Sequence, residues 1–389
     1  MPIESAVVSA KGAARWTRGH PWIFRSDVVR RPNAEAGAVR VEDNRGRPIG
    51  TALWSPASEI SLRFVDRDAD AELDQPWWNA TIDAVVRRRD RLGNDTNACR
   101  LIHGEGDALP SLVCDRYDRW LVVQLMSAGL DAFRDRIVAA LLAATGCDGI
   151  LARHDAAVRA REGLPRETVL LHGDVPQEVE VVEHGIRYLA APWTGQKTGA
   201  FLDQRENRRL AGTLARGRAL DCFSYHGSFA LHLAARAASV TALDSSGDAL
   251  RRAAANAERN GFTNVTFLEG DAFDVLRRYE RSGERFDTIV VDPPAFAKNR
   301  GALGDAMRGY HEINLRAMRI LAPGGTLLTA SCSYHVTRGH FFEMLAGAAA
   351  DSGRHIVLRQ ILGQSADHPE LLTVPESGYL KGAVLEAVD

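Results

Sequence analysis

The sequence has few cysteines, no long hydrophobic run and almost no net charge. Its 389 residues include five cysteines with wide gaps between them, Cys99, Cys114, Cys147, Cys222 and Cys332. An odd number at such spacing argues against a disulfide framework and against a zinc site, so we predict reduced thiols and no metal. No apolar run reaches the roughly 20 residues that cross a bilayer. The first residues also lack the apolar stretch of a secretory signal, so we expect a cytoplasmic protein without a membrane partner.

The net charge of −2 gives no overall sign of nucleic-acid binding, but the charge is unevenly distributed. Residues 1–47 contain nine Lys or Arg residues against five Asp or Glu residues. This local excess of positive charge could favour phosphate groups. An ordinary solvated surface explains the same excess equally well, so charge alone does not decide.

The chain is too long for one ordinary core, and its pattern predicts three domains. Alternating apolar and polar residues over 1–72 indicate a small β-rich domain. Residues 73–189 indicate an α/β middle domain, with helices over 76–92 and 131–144 and a hairpin of strands 109–114 and 120–125. Residues 190–389 form the third domain.

Short apolar runs alternate with helical stretches in this third domain. The predicted strands are Arg218–Cys222, Val240–Asp244, Val265–Glu269, Phe286–Asp292 and Thr326–Ser331, with helices near 228–238, 247–260, 271–281 and 305–321. Such alternation predicts a doubly wound, mostly parallel sheet. Ligands of these sheets bind at the carboxyl ends of the strands, so the residues at those ends matter most.

A turn follows the first of these strands and leads directly into a helix. Its glycine permits a close approach of the backbone to a ligand, and the helix N-terminus offers free N–H groups. A dinucleotide fingerprint would carry three glycines as GxGxxG, and only one is present, which weighs against NAD. The candidate ligand residues here are Asp221, Phe223, Ser224, Tyr225 and Gly227.

Acidic residues also follow the second and third strands. Asp244 could accept hydrogen bonds from both hydroxyls of a ribose, and Asp271 could accept one from an adenine amino group. Each has a structural alternative as the N-cap of the next helix. Ser245 or Ser246 could cap the helix after Asp244 instead, which would leave that carboxylate available.

The fourth strand ends in the most informative local motif, an acid followed by two prolines and an aromatic residue. Prolines cannot continue a strand or donate backbone hydrogen bonds, so they make a rigid exit. Asp292 would then face the pocket beside Pro293 and Pro294, with Phe296 as a stacking surface for a base. The fifth strand places the thiol of Cys332 at the same edge of the sheet.

Six segments together resemble the class I methyltransferases that form 5-methylcytidine in large-subunit ribosomal RNA. They occur in the family's order over nearly the whole chain, at Gly19–Phe24, Lys197–Arg205, Phe223–Tyr225, Asp292–Phe296, Ser331–Ser333 and Tyr379–Gly382. The resemblance implies an N-terminal PUA domain, an α/β middle domain and a Rossmann-like catalytic domain, often in homodimers. The chain departs from the family at His226, where relatives commonly carry a different loop with a second glycine.

The resemblance further implies S-adenosylmethionine as cofactor, with Gln204 and Arg205 near it. Carbon 5 of cytosine is a poor nucleophile, and a thiolate that adds at carbon 6 activates it. We predict that Cys332 is this thiolate and that Asp292 binds the cytosine edge, while Cys222 is the competing thiol. No base for the carbon 5 proton is identified, because a lone histidine such as His335 is more often structural.

Resemblance to PUA domains implies RNA binding through shape and phosphate contacts. Arg15, Arg18 and Arg25 are the candidate residues for that surface, whereas Trp22 and Phe24 are better explained as core residues. The main hypothesis is therefore an RNA cytosine-5 methyltransferase with ribosomal RNA as partner. The alternatives are methylation of a guanine or an exocyclic base nitrogen, and a catalytically silent RNA-binding or ribosome-assembly factor.

Overall fold

The computed structural model describes residues 4–92, 95–297 and 300–389. The chain forms two compact units, each assembled from separate segments. The first contains residues 1–181, 189–202 and 366–377, and the second contains residues 182–188, 203–365 and 378–389. The domain boundaries predicted after residues 72 and 189, and the homodimer, stay predictions.

The N-terminal part of the first unit is a six-stranded sheet. Its strands are β1 Ser5–Val8, β2 Trp22–Phe24, β3 Val28–Arg30, β4 Gly37–Glu42, β5 Pro48–Trp54 and β6 Ile60–Asp66, in the spatial order β2-β6-β5-β4-β1-β3. One helix, α1 Ala10–Thr17, lies between the first two strands in sequence. Its N-cap Ser9 accepts a hydrogen bond from the backbone N–H of Gly12, and this helix was not predicted.

The second sheet of this unit has five strands and belongs to the middle of the chain. Its strands are β7 Ala98–His103, β8 Leu112–Tyr117, β9 Trp120–Leu125, β10 Gly149–Arg153 and β11 Thr168–Gly173, and the helices of this region are α2 Gln75–Arg88, α3 Ala128–Asp131, α4 Arg134–Thr145 and α5 Val158–Arg161. The predicted hairpin is present, but β8 runs on to Tyr117, and the turn follows it. The predicted helix over 131–144 is interrupted between α3 and α4, and Gly146 caps the end of α4 in a left-handed conformation with φ 60°.

A seven-stranded sheet forms the centre of the second unit. After a two-stranded ribbon of β12 Val179–Glu183 and β13 Ile186–Ala190, its strands are β14 Arg218–Cys222, β15 Ser239–Asp244, β16 Val265–Glu269, β17 Phe286–Val291, β18 Leu321–Ser331, β19 Ile356–Leu362 and β20 Lys381–Ala387. The helices are α6 Arg205–Leu214, α7 Ser228–Ala234, α8 Gly247–Arg259, α9 Ala272–Ser282, α10 Leu303–Arg319 and α11 Arg338–Ser352. The strand order is β16-β15-β14-β17-β18-β20-β19, in which β20 is antiparallel to both of its neighbours.

Alternation along the strands explains why helices cover both faces of this sheet. In β17, Ile289 and Val291 pack in one buried cluster with α9, α10 and α11, whereas Val290 packs in another with α6 and α7. Continuous apolar strands of this kind are typical of a sheet buried on both sides. The predicted Rossmann-like α/β fold is thus confirmed, with all five predicted strands present. The two final strands, β19 and β20, were not predicted.

In the part of the chain that the structure describes, we find no helix that is both long enough and apolar enough to traverse a lipid bilayer.

Candidate functional site

The candidate site lies along the carboxyl edge of the seven-stranded sheet. Strands β14, β17 and β18 are parallel neighbours, and β15 lies on the other side of β14. The chain order reverses between β14 and β17, which is the switch point where such sheets bind ligands. Because parallel strands end at the same edge, the residues after β17 and β18, Asp292 and Cys332, share one side of the sheet.

Asp221 is a buried carboxylate at the switch point, with 1% of its surface exposed. Its Oδ2 accepts hydrogen bonds from Ser224 Oγ at 2.7 Å and from the Ala230 backbone N–H at 2.9 Å. Its Oδ1 has no hydrogen-bond partner within the described residues. Burial, reinforced by the negative charges of Asp292 and Asp244, raises the pKa of Asp221 to about 7. The carboxylate therefore has an oxygen and a charge that a cationic ligand would satisfy.

The turn between β14 and α7 adopts an unusual backbone. Phe223, Tyr225 and Gly227 all have positive φ, at 65°, 51° and 87°. A Cβ atom added to Gly227 would lie 3.0 Å from the Cβ of Ala253, so glycine is required both for conformation and for space. The left-handed non-glycine residues mark a turn held by its surroundings, as is common at ligand sites.

His226, the departure from the family pattern, belongs to the core and does not alter the surface of the turn. It is 2% exposed, and its ring stacks on Tyr188 at a centroid distance of 5.1 Å. Burial lowers the pKa of His226 to about 3, so the ring is neutral at pH 7. The ring of His226 therefore packs beneath the turn.

Asp244 and Asp271 differ in how far their carboxylates are already occupied. Asp244 is half-buried and accepts from the backbone N–H groups of Tyr225 at 2.8 Å and Ser246 at 2.9 Å. Ser246 caps α8 with its own side chain, so Asp244 is not needed as that cap. Asp271, by contrast, is exposed and caps α9 through Oδ1. The capping alternative is observed for Asp271, and its contact with a ligand stays a prediction.

The segment after β17 is tied to the segment after β18 by a small polar network. The backbone N–H of Ala297 donates to Ser333 Oγ at 3.2 Å, and the hydroxyls of Tyr310 and Ser333 are 2.8 Å apart. The ring of Phe296 packs on Tyr310 at 4.6 Å between centroids. The Asp292 motif and the Cys332 motif therefore form one connected structure.

The two candidate thiols lie in different environments. Cys332 is half-buried, and its neighbours Ser331 and Ser333 are both fully buried, so the chain is fixed on either side of the thiol. Cys222 is fully buried in the core, and this burial raises the pKa of its thiol far above the usual range. Because the thiolate is the nucleophilic form, Cys332 is the better candidate. Of the two prolines in the neighbouring motif, Pro293 is buried and Pro294 is exposed.

Gln204 and Arg205 lie at the start of α6, and both are buried. Gln204 Oε1 accepts from Asn207 Nδ2 at 2.6 Å, and Arg205 pairs with Glu206 at 2.8 Å. These contacts hold the first turn of the helix. The proposed proximity of both residues to a cofactor stays a prediction.

Two of the three predicted RNA-binding arginines line a common cavity in the first unit. The cavity has a volume of about 530 Å³ and is lined by Lys11, Ala14, Arg15, Arg18, His20 and Thr373. Arg25 is not among these residues. Its guanidinium donates to the carbonyls of Ala57 and Ser58 and lies 3.4 Å from Glu59. The backbone contacts give Arg25 a structural role, and its part in RNA binding stays a prediction.

Two side chains at the candidate site received no role from the sequence. Tyr310 connects the two motifs as described above. Lys381 begins β20, is 4% exposed, and donates through Nζ to the carbonyls of Ser333 and Tyr379, each at 2.7 Å. The only sequence signal for Lys381 was its place in Tyr379–Gly382, one of the segments that resemble the family. Over the residues that the structure describes, no group of three or more His, Cys, Asp or Glu side chains could hold a metal ion.

Comparison with protein families gives two matches. Residues 99–379 match the family described as S-adenosylmethionine-dependent methyltransferase, and residues 7–67 match the PUA-like domain. The Ribosomal RNA large subunit methyltransferase I of Shewanella amazonensis is 40% identical over 376 residues, covering 94% of this chain and 95% of that protein. The protein of the same name from Erwinia tasmaniensis is 38% identical, covering 97% and 98%. The resemblance to S-adenosylmethionine-dependent methyltransferases with an N-terminal PUA-like domain is thus confirmed.

Solved structures share the fold over nearly the whole chain. A protein from Streptococcus mutans, provisionally named a SAM-dependent methyltransferase, has a TM-score of 0.82 at 20% identity and covers 98% of this chain and 100% of its own. A second provisionally named methyltransferase, complexed with SAH, has a TM-score of 0.85 at 21% identity with the same coverage. At such identity the likeness concerns the fold alone.

Proposed function

The chain belongs to the family of S-adenosylmethionine-dependent methyltransferases, and from that premise we propose that it forms 5-methylcytidine in large-subunit ribosomal RNA through a covalent adduct with Cys332. Its methyl donor is S-adenosylmethionine. The RNA substrate is inferred from the names of relatives that match the chain along almost its entire length. The cytosine and the adduct are inferred from the family resemblance and from the positions of Cys332 and Asp292 at the ends of two neighbouring parallel strands.

Polar groups at the carboxyl edge of the sheet suit the charge and the hydroxyls of the donor. When bound, S-adenosylmethionine supplies an electrophilic methyl group on a positively charged sulfur. The buried, unsatisfied Oδ1 of Asp221 suits a cationic group, and the acceptor oxygens of Asp244 suit hydroxyls. Gly227 keeps the turn free of a side chain. In this proposal the turn Phe223–Gly227 holds the donor together with Asp244, Asp271, Gln204 and Arg205.

The thiolate of Cys332 is proposed to add to carbon 6 of cytosine. A bond forms between sulfur and carbon 6, and the electron pair of the double bond between carbons 5 and 6 moves onto carbon 5, which becomes nucleophilic. The bond between carbon 5 and the methyl group would form as the bond from that methyl to the donor sulfur breaks, leaving a neutral thioether. The proton on carbon 5 then leaves to a base, and the bond between the Cys332 sulfur and carbon 6 breaks. The thiolate and the aromatic ring of the base are then restored.

Asp292 is proposed to hold the cytosine edge while charge develops on the ring. A protonated carboxyl donates to ring nitrogen N3 and stabilises the negative charge that the thiolate brings. Asp292 lies where β17 ends and Pro293 follows, so its backbone is held at the rigid exit of the strand. Pro294 and the partly exposed ring of Phe296 would complete the wall beside the base.

The cavity on α1 is proposed to bind the RNA backbone. Lys11, Arg15 and Arg18 present three cations around a volume of about 530 Å³. The guanidinium of Arg15 lies over the ring of Phe24 at 4.6 Å, which restrains its position. Contacts of this kind orient an RNA without reading its sequence.

The decisive experiment compares Cys332→Ala with the matched variant Cys147→Ala, because Cys147 is also half-buried but lies in the other unit. Each protein is incubated with donor and ribosomal RNA, and nucleosides are identified by mass spectrometry. We expect Cys332→Ala to abolish 5-methylcytidine while binding of S-adenosylmethionine in calorimetry stays near normal. Cys147→Ala should resemble the unmodified protein.

The alternatives give different results in the same experiment. A methylated guanine or exocyclic nitrogen that persists in Cys332→Ala would replace cytosine C5 chemistry with a reaction that needs no thiolate. Complete absence of S-adenosylmethionine binding by the unmodified protein would favour a silent RNA-binding factor. Unchanged 5-methylcytidine in Cys332→Ala would remove the covalent mechanism.

A further inference from the structure

A buried ammonium lies behind the strand end that carries Cys332. Lys381 is the first residue of β20, and it is paired with Ser331 of β18, the residue before Cys332. Only 4% of its surface is exposed. Its Nζ donates to the backbone carbonyls of Ser333 and Tyr379 at 2.7 Å. Across the described chain, no carboxylate forms an ion pair with this ammonium.

A buried charge without a counterion is costly and is uncommon in a stable core. Burial lowers the pKa of Lys381 to about 8. The cation of Arg338 also lowers this pKa, whereas the thiol of Cys332 raises it. Because Lys381 is paired with Ser331 and its Nζ bonds to the carbonyl of Ser333, the ammonium lies against the segment that carries Cys332 on both sides of that residue. Two carbonyl dipoles alone do not neutralise a cation, and a thiolate at Cys332 would supply the missing negative charge.

The remaining groups around the sulfur do not take the place of this lysine. Tyr310 of α10 interacts electrostatically with Cys332, and its pKa is raised, chiefly by burial, so it is a neutral hydroxyl at pH 7. Asp292, at the end of β17, is a carboxyl group and cannot supply a positive charge to a thiolate. Arg338 is positive but exposed at the start of α11, where water screens it. Lys381 is thus the buried cation at this strand end.

We propose that Lys381 is a positioning residue that keeps Cys332 in its thiolate form and fixes the loop that carries it. The inference rests on the proposed function, in which Cys332 is the nucleophile. The two carbonyl hydrogen bonds hold Nζ in place and join the chain after Cys332 to the chain before β20. Lys381 touches no reacting atom in this scheme, because it acts on the sulfur through space.

The test measures the acidity of the Cys332 thiol directly, without RNA. Full-length protein is pulsed with iodoacetamide between pH 5.5 and 9.5, and alkylation of the peptide that contains Cys332 is quantified by mass spectrometry. The unmodified protein, Lys381→Met and Lys381→Arg are compared. Cys147, which is alkylated in the same sample, serves as an internal control because it lies in the other unit.

We expect Cys332 of the unmodified protein to titrate below the ordinary thiol range of about 8.5. In Lys381→Met the midpoint should rise by at least about one pH unit, which lowers the alkylation rate at pH 7 roughly tenfold. Lys381→Arg should restore part of the shift because it retains the charge. The profile of Cys147 should not move in any variant.

An unchanged Cys332 midpoint in a Lys381→Met protein that still binds S-adenosylmethionine would reduce Lys381 to a structural role. If Lys381→Met does not fold, the alkylation profile of the unmodified protein still tests the proposal. A Cys332 midpoint at or above pH 8.5 in that protein overturns it. Failure of the proposed function is seen separately. A Cys332 thiol of low pKa with 5-methylcytidine formation intact in Cys332→Ala would refute covalent catalysis and leave the lysine–thiolate pair standing.

Discussion

Replacement of Asp221 by asparagine should stabilise the unliganded protein and weaken its binding of the methyl donor. The carboxyl is fully buried at the switch point and its pKa is raised from 3.8 to about 7. The folded state therefore holds a proton that the unfolded state has already released, and stability falls as the pH rises from about 4 through 7. A difference of about three pKa units corresponds to roughly 4 kcal/mol above pH 7.

Asparagine has the shape of the protonated carboxyl and no charge to bury. We expect Asp221→Asn to raise the free energy of unfolding at pH 8 by up to about 4 kcal/mol. Between pH 6.5 and 8, the unmodified protein should lose roughly 1 kcal/mol through this group, and the variant should lose none of it. The buried histidines His154 and His226 do not titrate between pH 6.5 and 8, because their pKa values are lowered to about 4 and about 3.

The assay is urea unfolding of the unliganded protein at several pH values, followed by calorimetric titration of S-adenosylmethionine. Asp305→Asn is the control because that carboxylate is exposed on α10, and it should change stability by less than about 0.5 kcal/mol. The affinity for S-adenosylmethionine should be lower in Asp221→Asn than in the unmodified protein. It should also rise less with pH in the variant, because a cationic ligand favours the ionised carboxylate. A variant no more stable than Asp305→Asn at pH 8 would refute the reasoning.

Three further predictions follow from other contacts. Glu183→Gln should destabilise the protein by about 3–5 kcal/mol in thermal unfolding. The buried guanidinium of Arg208 lies 2.6 Å from the Glu183 carboxylate and would lose its charge partner. A loss below about 1 kcal/mol would contradict this. Gly227→Ala should lower the free energy of unfolding by about 1–2 kcal/mol and weaken donor binding, because φ is +87° and the added methyl group meets α8. An affinity for the donor equal to that of the unmodified protein would show that the turn does not contact the donor. Arg15→Ala combined with Arg18→Ala should weaken RNA binding and lower the slope of log affinity against log salt by about one for each cation removed, and an unchanged slope would exclude the cavity on α1.

The catalytic fold was predictable because its signal is local and repeated. Each parallel strand is a short apolar run, each helix has its own period, and the segments β14 and β16 agree with their predicted bounds. The strands β19 and β20 were missed, although their segments IVLRQIL and KGAVLEA carry the apolar and β-branched residues typical of strands. They pair antiparallel at the edge of the sheet. β20 begins 19 residues after β19 ends, and its pairing with β18 depends on contacts between segments that are distant in sequence.

The candidate site divides in the same way. Asp221, Asp244 and Cys332 were predicted because each ends a recognisable strand, and the topology of a parallel sheet brings such ends to one edge. Lys381 and Tyr310 could not be predicted, because they reach the edge from elements distant in sequence and carry no motif chemistry of their own. Capping by Asp271 was open in the sequence, since the same carboxylate pattern suits a helix cap and a ligand contact.

By itself, the sequence determined the five parallel strands and the helices between them, the family and the residue types at each strand end, because these depend on near neighbours and on spacing along the chain. Tertiary structure alone decided which of those residues are buried, which carboxyl oxygen has no partner and which cation lies beside Cys332. The physical reason is that burial and charge interactions depend on distances in space, and those distances are set by segments that lie far apart in the chain.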